Sequence, residues 1–139
     1  MPPSDRACLH ARWIDQRAYE INKSAARDGE AAAAAEVLYR TIPVENAPSF
    51  ALCRRANGLA YARWNQGDHE GGAAFAREAC RHAGDGGHLR LRAMSLQMRA
   101  RIVGGREGEE SRARALAIVT SLDDEALRLR FTGGALRGF

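Results

Sequence analysis

The sequence predicts an all-α protein made of three helical hairpins in a row and closed by a short seventh helix. Three observations carry that prediction. Alanine supplies much of the 45% hydrophobic share, and alanine is the strongest helix former and small enough for helices to approach closely. Runs of alternating β-branched residues, the pattern of strands, are missing from the chain. Gly29, Gly67 and Gly105 stand thirty-eight residues apart, each in a small polar turn flanked by helical patterns. Equal spacing of a helix breaker with a period in the thirties marks stacked helix pairs. At 139 residues the chain is one domain, long enough for a core of its own. The hairpins are expected over about 4–42, 49–83 and 88–121, and the capping helix over about 124–131.

Each element has its own signals. Ser4 or Asp5 can cap a first helix that runs to about Ala26, with Ala7, Ala11, Ile14, Ala18, Ile21 and Ala25 as one apolar stripe. Asp28-Gly29 ends it. A second helix from about Glu30 to Thr41 opens on alanines and buries Val37, Leu38 and Ile42 before Pro43 stops it. Ser49 caps the third, whose core side carries Leu52, Cys53, Ala56, Leu59 and Ala60. Past the Gly67 turn, Asp68 starts a fourth helix through Phe75, Ala76, Ala79, Cys80 and Ala83. Gly71 and Gly72 each cost about 1 kcal/mol against alanine, which close packing on the preceding helix would justify. Gly84-Asp85-Gly86-Gly87 reads as a break. The fifth helix, about His88 to Val103, buries Leu91, Met94, Met98 and Ile102. The sixth, about Glu107 to Ser121, buries Ala113, Leu116, Ala117 and Val119, and Asp123 caps the seventh.

Composition narrows the function. The net charge of +4 comes almost wholly from arginine, Lys23 being the only lysine, and it admits acidic proteins or nucleic acid as partners. Three cysteines, Cys8, Cys53 and Cys80, in no CxxC spacing point to reduced, core-facing thiols rather than a disulfide framework. With no apolar signal region after Met1 and no run of membrane-spanning length, a cytoplasmic protein is expected. His10, His69, His82 and His88 fall at no metal-ligand spacing. The glycine-rich stretches at Gly84 and Gly104 neither follow a strand nor end in Gly-Lys-Ser/Thr, so they are not phosphate loops. Asp123-Asp124 reads as a cap rather than an acid–base pair. No enzyme activity and no cofactor is expected.

The central unit, residues 53–83, resembles a tetratricopeptide repeat (TPR). Leu59-Ala60 is the large-then-small pair before the turn, Gln66-Gly67-Asp68 is the turn, and Gly72, Ala76 and Ala79 are the small residues that answer from the second helix. Ile21-Asn22 and Gln97-Met98 match more loosely in the flanking units. The chain departs from the family in its period of thirty-eight against about 34. Glu110 and Arg114 also stand where the third unit calls for small or apolar residues. The resemblance implies a right-handed α-solenoid whose first helices line a concave face that binds a peptide or protein segment. Adaptor, chaperone and bacterial transcriptional-regulator roles all occur among similar arrays.

Aligning the first helices by the glycine spacing places three rows on that face. They are Gln16, Arg54 and Arg92; Tyr19, Asn57 and Ser95; and Lys23, Tyr61 and Arg99, with Trp64 beside the last. All lie off the apolar stripes and are expected to be exposed, although Tyr61 and Trp64, next to Gly67, equally suit packing in the core or against the turn. Arginine forks suit carboxylates, an asparagine can pair with peptide groups, and aromatic faces cover apolar side chains, so an acidic peptide is the expected occupant. Trp13 and Tyr39 read as packing residues. Two other classes remain open: nucleic acid on the same arginine rows, and self-association through a C-terminal end carrying Phe131, Leu136 and Phe139.

Overall fold

The computed structural model describes residues 3–25, 29–122 and 124–132. These form seven helices: α1 (Pro3–Ala25), α2 (Gly29–Arg40), α3 (Ser49–Asn65), α4 (His69–Gly86), α5 (Leu89–Val103), α6 (Gly105–Ser121) and α7 (Glu125–Thr132). The described residues contain no strand, and none of the helices is long and apolar enough to cross a membrane. Asp123, Leu136, Phe139 and the Phe131 side chain lie outside what is described, as do Ala26 to Asp28.

Local chemistry sets the helix ends. Asp68 caps α4, its Oδ1 accepting the Gly71 N–H at 2.9 Å. Asp124 caps α7 in the same way, accepting from Leu127 N–H at 2.9 Å. Ser49 is the first residue of α3 rather than its cap, which is Pro48. Helix α4 continues through the expected break at Gly84 and stops at Gly87, whose φ of 67° is left-handed, the usual glycine terminator. The three equally spaced glycines prove non-equivalent. Gly67 lies in the α3–α4 turn with φ 84°, while Gly29 and Gly105 are the first residues of α2 and α6. Three residues join α3 to α4, but Gly104 alone joins α5 to α6.

Helices adjacent in sequence pack as pairs, α1, α3 and α5 also pack side by side, and α7 rests on α6. Helix α3 is the hub, in contact with α1, α2, α4 and α5. Small residues make these approaches possible. A Cβ on Gly72 would sit 3.2 Å from the Ala60 carbonyl oxygen, and one on Gly108 would sit 2.7 Å from that of Ala100. One on Gly58 would run into the Tyr39 ring. Close packing therefore accounts for Gly72 but not for Gly71, which sits over the capping carboxylate of Asp68.

The core follows these contacts as a chain of clusters. Ala11, Ile14, Ala18, Ala35, Tyr39, Ile42 and Leu59 join α1, α2 and α3, and Cys53, Ala56, Ala79, Ala83 and Leu91 join α3, α4 and α5. Five residues expected to be buried are exposed. Val37 is 65% exposed and Trp13 53%. In α6, Ala113, Leu116 and Ala117 face outward while Gly108, Ser111, Ala115 and Val119 are buried. The cause is the docking of Gly108 on Ala100, which fixes the buried stripe at 108, 111 and 115 and turns Glu110 and Arg114 to solvent.

Candidate functional site

Where α1, α3 and α5 run side by side, they leave a small cleft. Asp15 and Tyr19 of α1, Arg54, Asn57, Gly58 and Tyr61 of α3, and Leu91, Met94 and Met98 of α5 line it, with Tyr39 behind. Its free space is about 60 Å³, room for a few waters or one small side chain. Four residues singled out from the sequence, Tyr19, Arg54, Asn57 and Tyr61, thus meet at one place.

The charges in the cleft are already committed. Arg54 Nη1 forms an ion pair with Asp15 Oδ2, and the Tyr39 hydroxyl donates to Asp15 Oδ1 at 2.6 Å. Burial, and then the negative charge of Asp15, push the Tyr39 phenol well above its ordinary range. Asn57 Nδ2 donates to Ser95 Oγ at 2.9 Å, and Ser95 donates to the Leu91 carbonyl, also at 2.9 Å. The contact between Asn57 and Ser95 matches the row in which they were placed. Asn57 Oδ1 is buried and has no partner among the described residues.

The remaining predicted residues divide. Ser95 and Tyr61 are buried, contrary to the expectation of exposure, because α3 is covered on four sides and Ser95 faces it across the helix pair. Gln16 and Lys23 are exposed on α1 and do not line the cleft. Arg99 turns away from α3 toward α6, where it binds Glu107 at 2.6 Å, and Arg77 of α4 binds the same carboxylate at 2.9 Å. Hydrogen bonds from Arg77 and Arg99 hold Glu107 down at about 2. Arg92 does not line the cleft either; its charge, with those of Arg99 and Arg114, acts on Cys80. The predicted basic rows therefore do not form one basic groove. Leu91, Met94 and Met98 turn to the cleft on α5, while the half-buried Arg92 and Arg99 beside them do not.

Aromatic rings continue the line of the cleft. Tyr19 and Tyr61 lie 6.4 Å apart, Tyr61 and Trp64 also 6.4 Å, and the Arg101 guanidinium lies 4.8 Å over Trp64. Asp15, Met94 and Arg101 were missed from the sequence. Asp15 was within reach of the argument, standing four residues before Tyr19 and therefore on its face. Behind the cleft, Cys53 approaches Ser95 Oγ at 3.2 Å, and burial raises its thiol to about 11. All three cysteines are free thiols. No group of His, Cys, Asp and Glu among the described residues is arranged to hold a metal ion. Comparison of the chain with protein-family models, curated proteins and solved structures returned no significant match.

Proposed function

We propose that this chain is a non-enzymatic interaction module: a TPR-like, right-handed solenoid of three hairpins capped by α7, holding a protein or peptide segment against its α1–α3–α5 face. The observation that carries the reading is the cleft itself, to which all three of those helices contribute. The side-by-side packing of α1, α3 and α5, each paired with the helix that follows it, is the neighbour-to-neighbour order such an array requires.

Within this reading the contacts differ from an arginine clamp. Arg54 is held by Asp15, so the half-buried Met94 and Tyr19 provide the contact area. The partnerless Asn57 Oδ1 is sealed from solvent in the cleft wall, so it accepts a backbone N–H from the segment, the pairing an extended peptide offers, only as the cleft widens on binding. An adaptor or a component of a bacterial cytoplasmic regulator fits this description best.

The test is affinity capture from the source lysate with the full chain as bait, beside Met94→Glu and Asn57→Ala, with nuclease treatment in parallel. Circular dichroism checks that all baits stay helical. A nuclease-resistant protein retained by the wild type and lost from both variants is the expected result. Equal recovery by all three baits would remove the cleft from consideration.

A further inference from the structure

A second recess lies at the other end of the same face, between the N-terminal parts of α1, α3 and α5. Asp5, Cys8, Leu9 and Arg12 of α1, Phe50 of α3 and His88 before α5 line about 420 Å³ of it. Leu9, Trp13 and Leu89 are 50%, 53% and 47% exposed. On α1, Asp5, Leu9, Arg12 and Gln16 recur at steps of four, three and four, with Trp13 one turn beyond Leu9, so they form one outward stripe. That stripe is the opposite side of the helix from Ala11, Ile14 and Ala18.

Rings and guanidinium groups are interleaved here. Arg12 lies 5.3 Å from the Phe50 centroid, Arg54 lies 5.1 Å from the same ring, and Arg17 lies 5.1 Å from that of Trp13. His10 stacks on Trp13 at 6.5 Å and His88 meets Phe50 edge-on at 5.7 Å. Arg54, Arg63, Arg77, Arg90 and Arg99 each bind a carboxylate. Arg12 and Arg17 bind none among the described residues. Stacking uses the flat face of a guanidinium and leaves its N–H edge to accept a carboxylate in fork geometry.

We infer that this end of the face is a docking surface for an acidic segment of a partner protein, with carboxylates on Arg12 and Arg17 beside an apolar side chain seated between Leu9 and Phe50. Charge complementarity selects the occupant, and the apolar recess selects a peptide over a nucleic acid. A phosphate chain would carry charge past the Asp5 carboxylate and leave Leu9 uncovered. The recess shares no lining residue with the central cleft, and the two meet where Arg54 lies on Phe50.

The test is selection of a displayed random-peptide library on the immobilised full chain, followed by affinity measurements with the enriched peptides. Enriched peptides should pair Asp or Glu with Leu, Phe or Trp. The double variant Arg12→Glu, Arg17→Glu should weaken them about tenfold or more, while Met94→Glu leaves them unchanged. Thermal melts confirm that both variants are folded. No enrichment, peptides lacking an acidic bias, or peptides insensitive to the arginine variant would each overturn the assignment. Peptides lost with Met94→Glu would overturn it too, while supporting the central cleft. A labelled thymidine oligonucleotide that binds through Arg12 and Arg17, with no peptide enriched, would overturn it in favour of nucleic acid.

Discussion

The two ends of the α1–α3–α5 face are built from the same residue types and are in opposite states. In the central cleft Arg54, Asp15 and Tyr39 satisfy one another, the rings are packed, and little space is left. At the outer end Arg12 and Arg17 lie on rings with their N–H edges open, and the apolar side chains face solvent. The difference comes from what the neighbouring helix presents. Arg54 stands on the hub helix, opposite a carboxylate of α1, whereas Arg12 on the outer stripe of α1 meets the Phe50 ring of α3 and no carboxylate. An arginine's role in this molecule is set by its neighbour across the interface, which the local sequence does not name.

The contrast predicts where the fold will tolerate change. Gly58→Ala should produce the largest effect, because the new methyl would collide with the ring of Tyr39, itself fixed between α2, α3 and the Asp15 carboxylate. Overpacking of a closed core costs about 1–3 kcal/mol, occasionally more, and here the obstacle is a rigid ring, so about 3 kcal/mol or more is expected from urea unfolding. Gly29→Ala is the matched control: nothing lies within 4 Å of its new methyl, and at the first residue of a helix the interior glycine penalty does not apply, so stability should change by no more than about 0.5 kcal/mol. Equal effects at the two glycines would mean that α2 and α3 are not in close contact at Gly58.

Thiol ionisation probes the same contrast. Burial raises the Cys53 thiol to about 11 from an ordinary 9.0. Below pH 9 the thiol is protonated in both states and its contribution is complete. Between pH 9 and 11 the unfolded chain loses its proton while the folded chain keeps it, so stability falls as pH rises. That window should remove up to about 3 kcal/mol through this group. Unfolding measured across it should show a shallower decline in Cys53→Ser. An unchanged slope would place Cys53 in contact with water, and the hub helix would then be less closed than its packing implies.

Much of the fold was legible in the sequence, because alanine content, proline positions and capping residues act locally. The Asp68 cap, the Gly72 contact and the Leu91, Met94, Met98 and Ile102 stripe all follow from near neighbours. The site was less legible for two physical reasons. Helix α3 is covered on four sides by small residues, so an amphipathic stripe no longer separates inside from outside, and Tyr61 is buried where it was read as exposed. The glycine spacing joined a turn residue to two helix starts and so gave a register only partly right: Asn57 meets Ser95, but Arg92 does not line the cleft and Arg99 turns to Glu107 of α6. Trp13 was misread for its bulk. Its spacing of four from Leu9, off the Ala11–Ile14–Ala18 stripe, was the signal that it faces out.

Trp13 therefore gives the smallest effect and the clearest separation of the two regions. Trp13→Ala removes a side chain that is 53% exposed and touches chiefly His10 and Arg17 of its own helix, so stability should change by no more than about 0.5 kcal/mol. Trp64→Ala removes a ring packed against Tyr61 and Arg101 and should cost about 1–3 kcal/mol through lost contact area. Acrylamide quenching offers an independent reading with single-tryptophan proteins. Trp64→Phe leaves Trp13 as reporter and should be quenched more steeply than Trp13→Phe, which leaves Trp64. If the two quench alike and Trp13→Ala destabilises as much as Trp64→Ala, the outer stripe of α1 is covered within this chain. Trp13 would then be a packing residue after all, and no open docking surface would remain at that end.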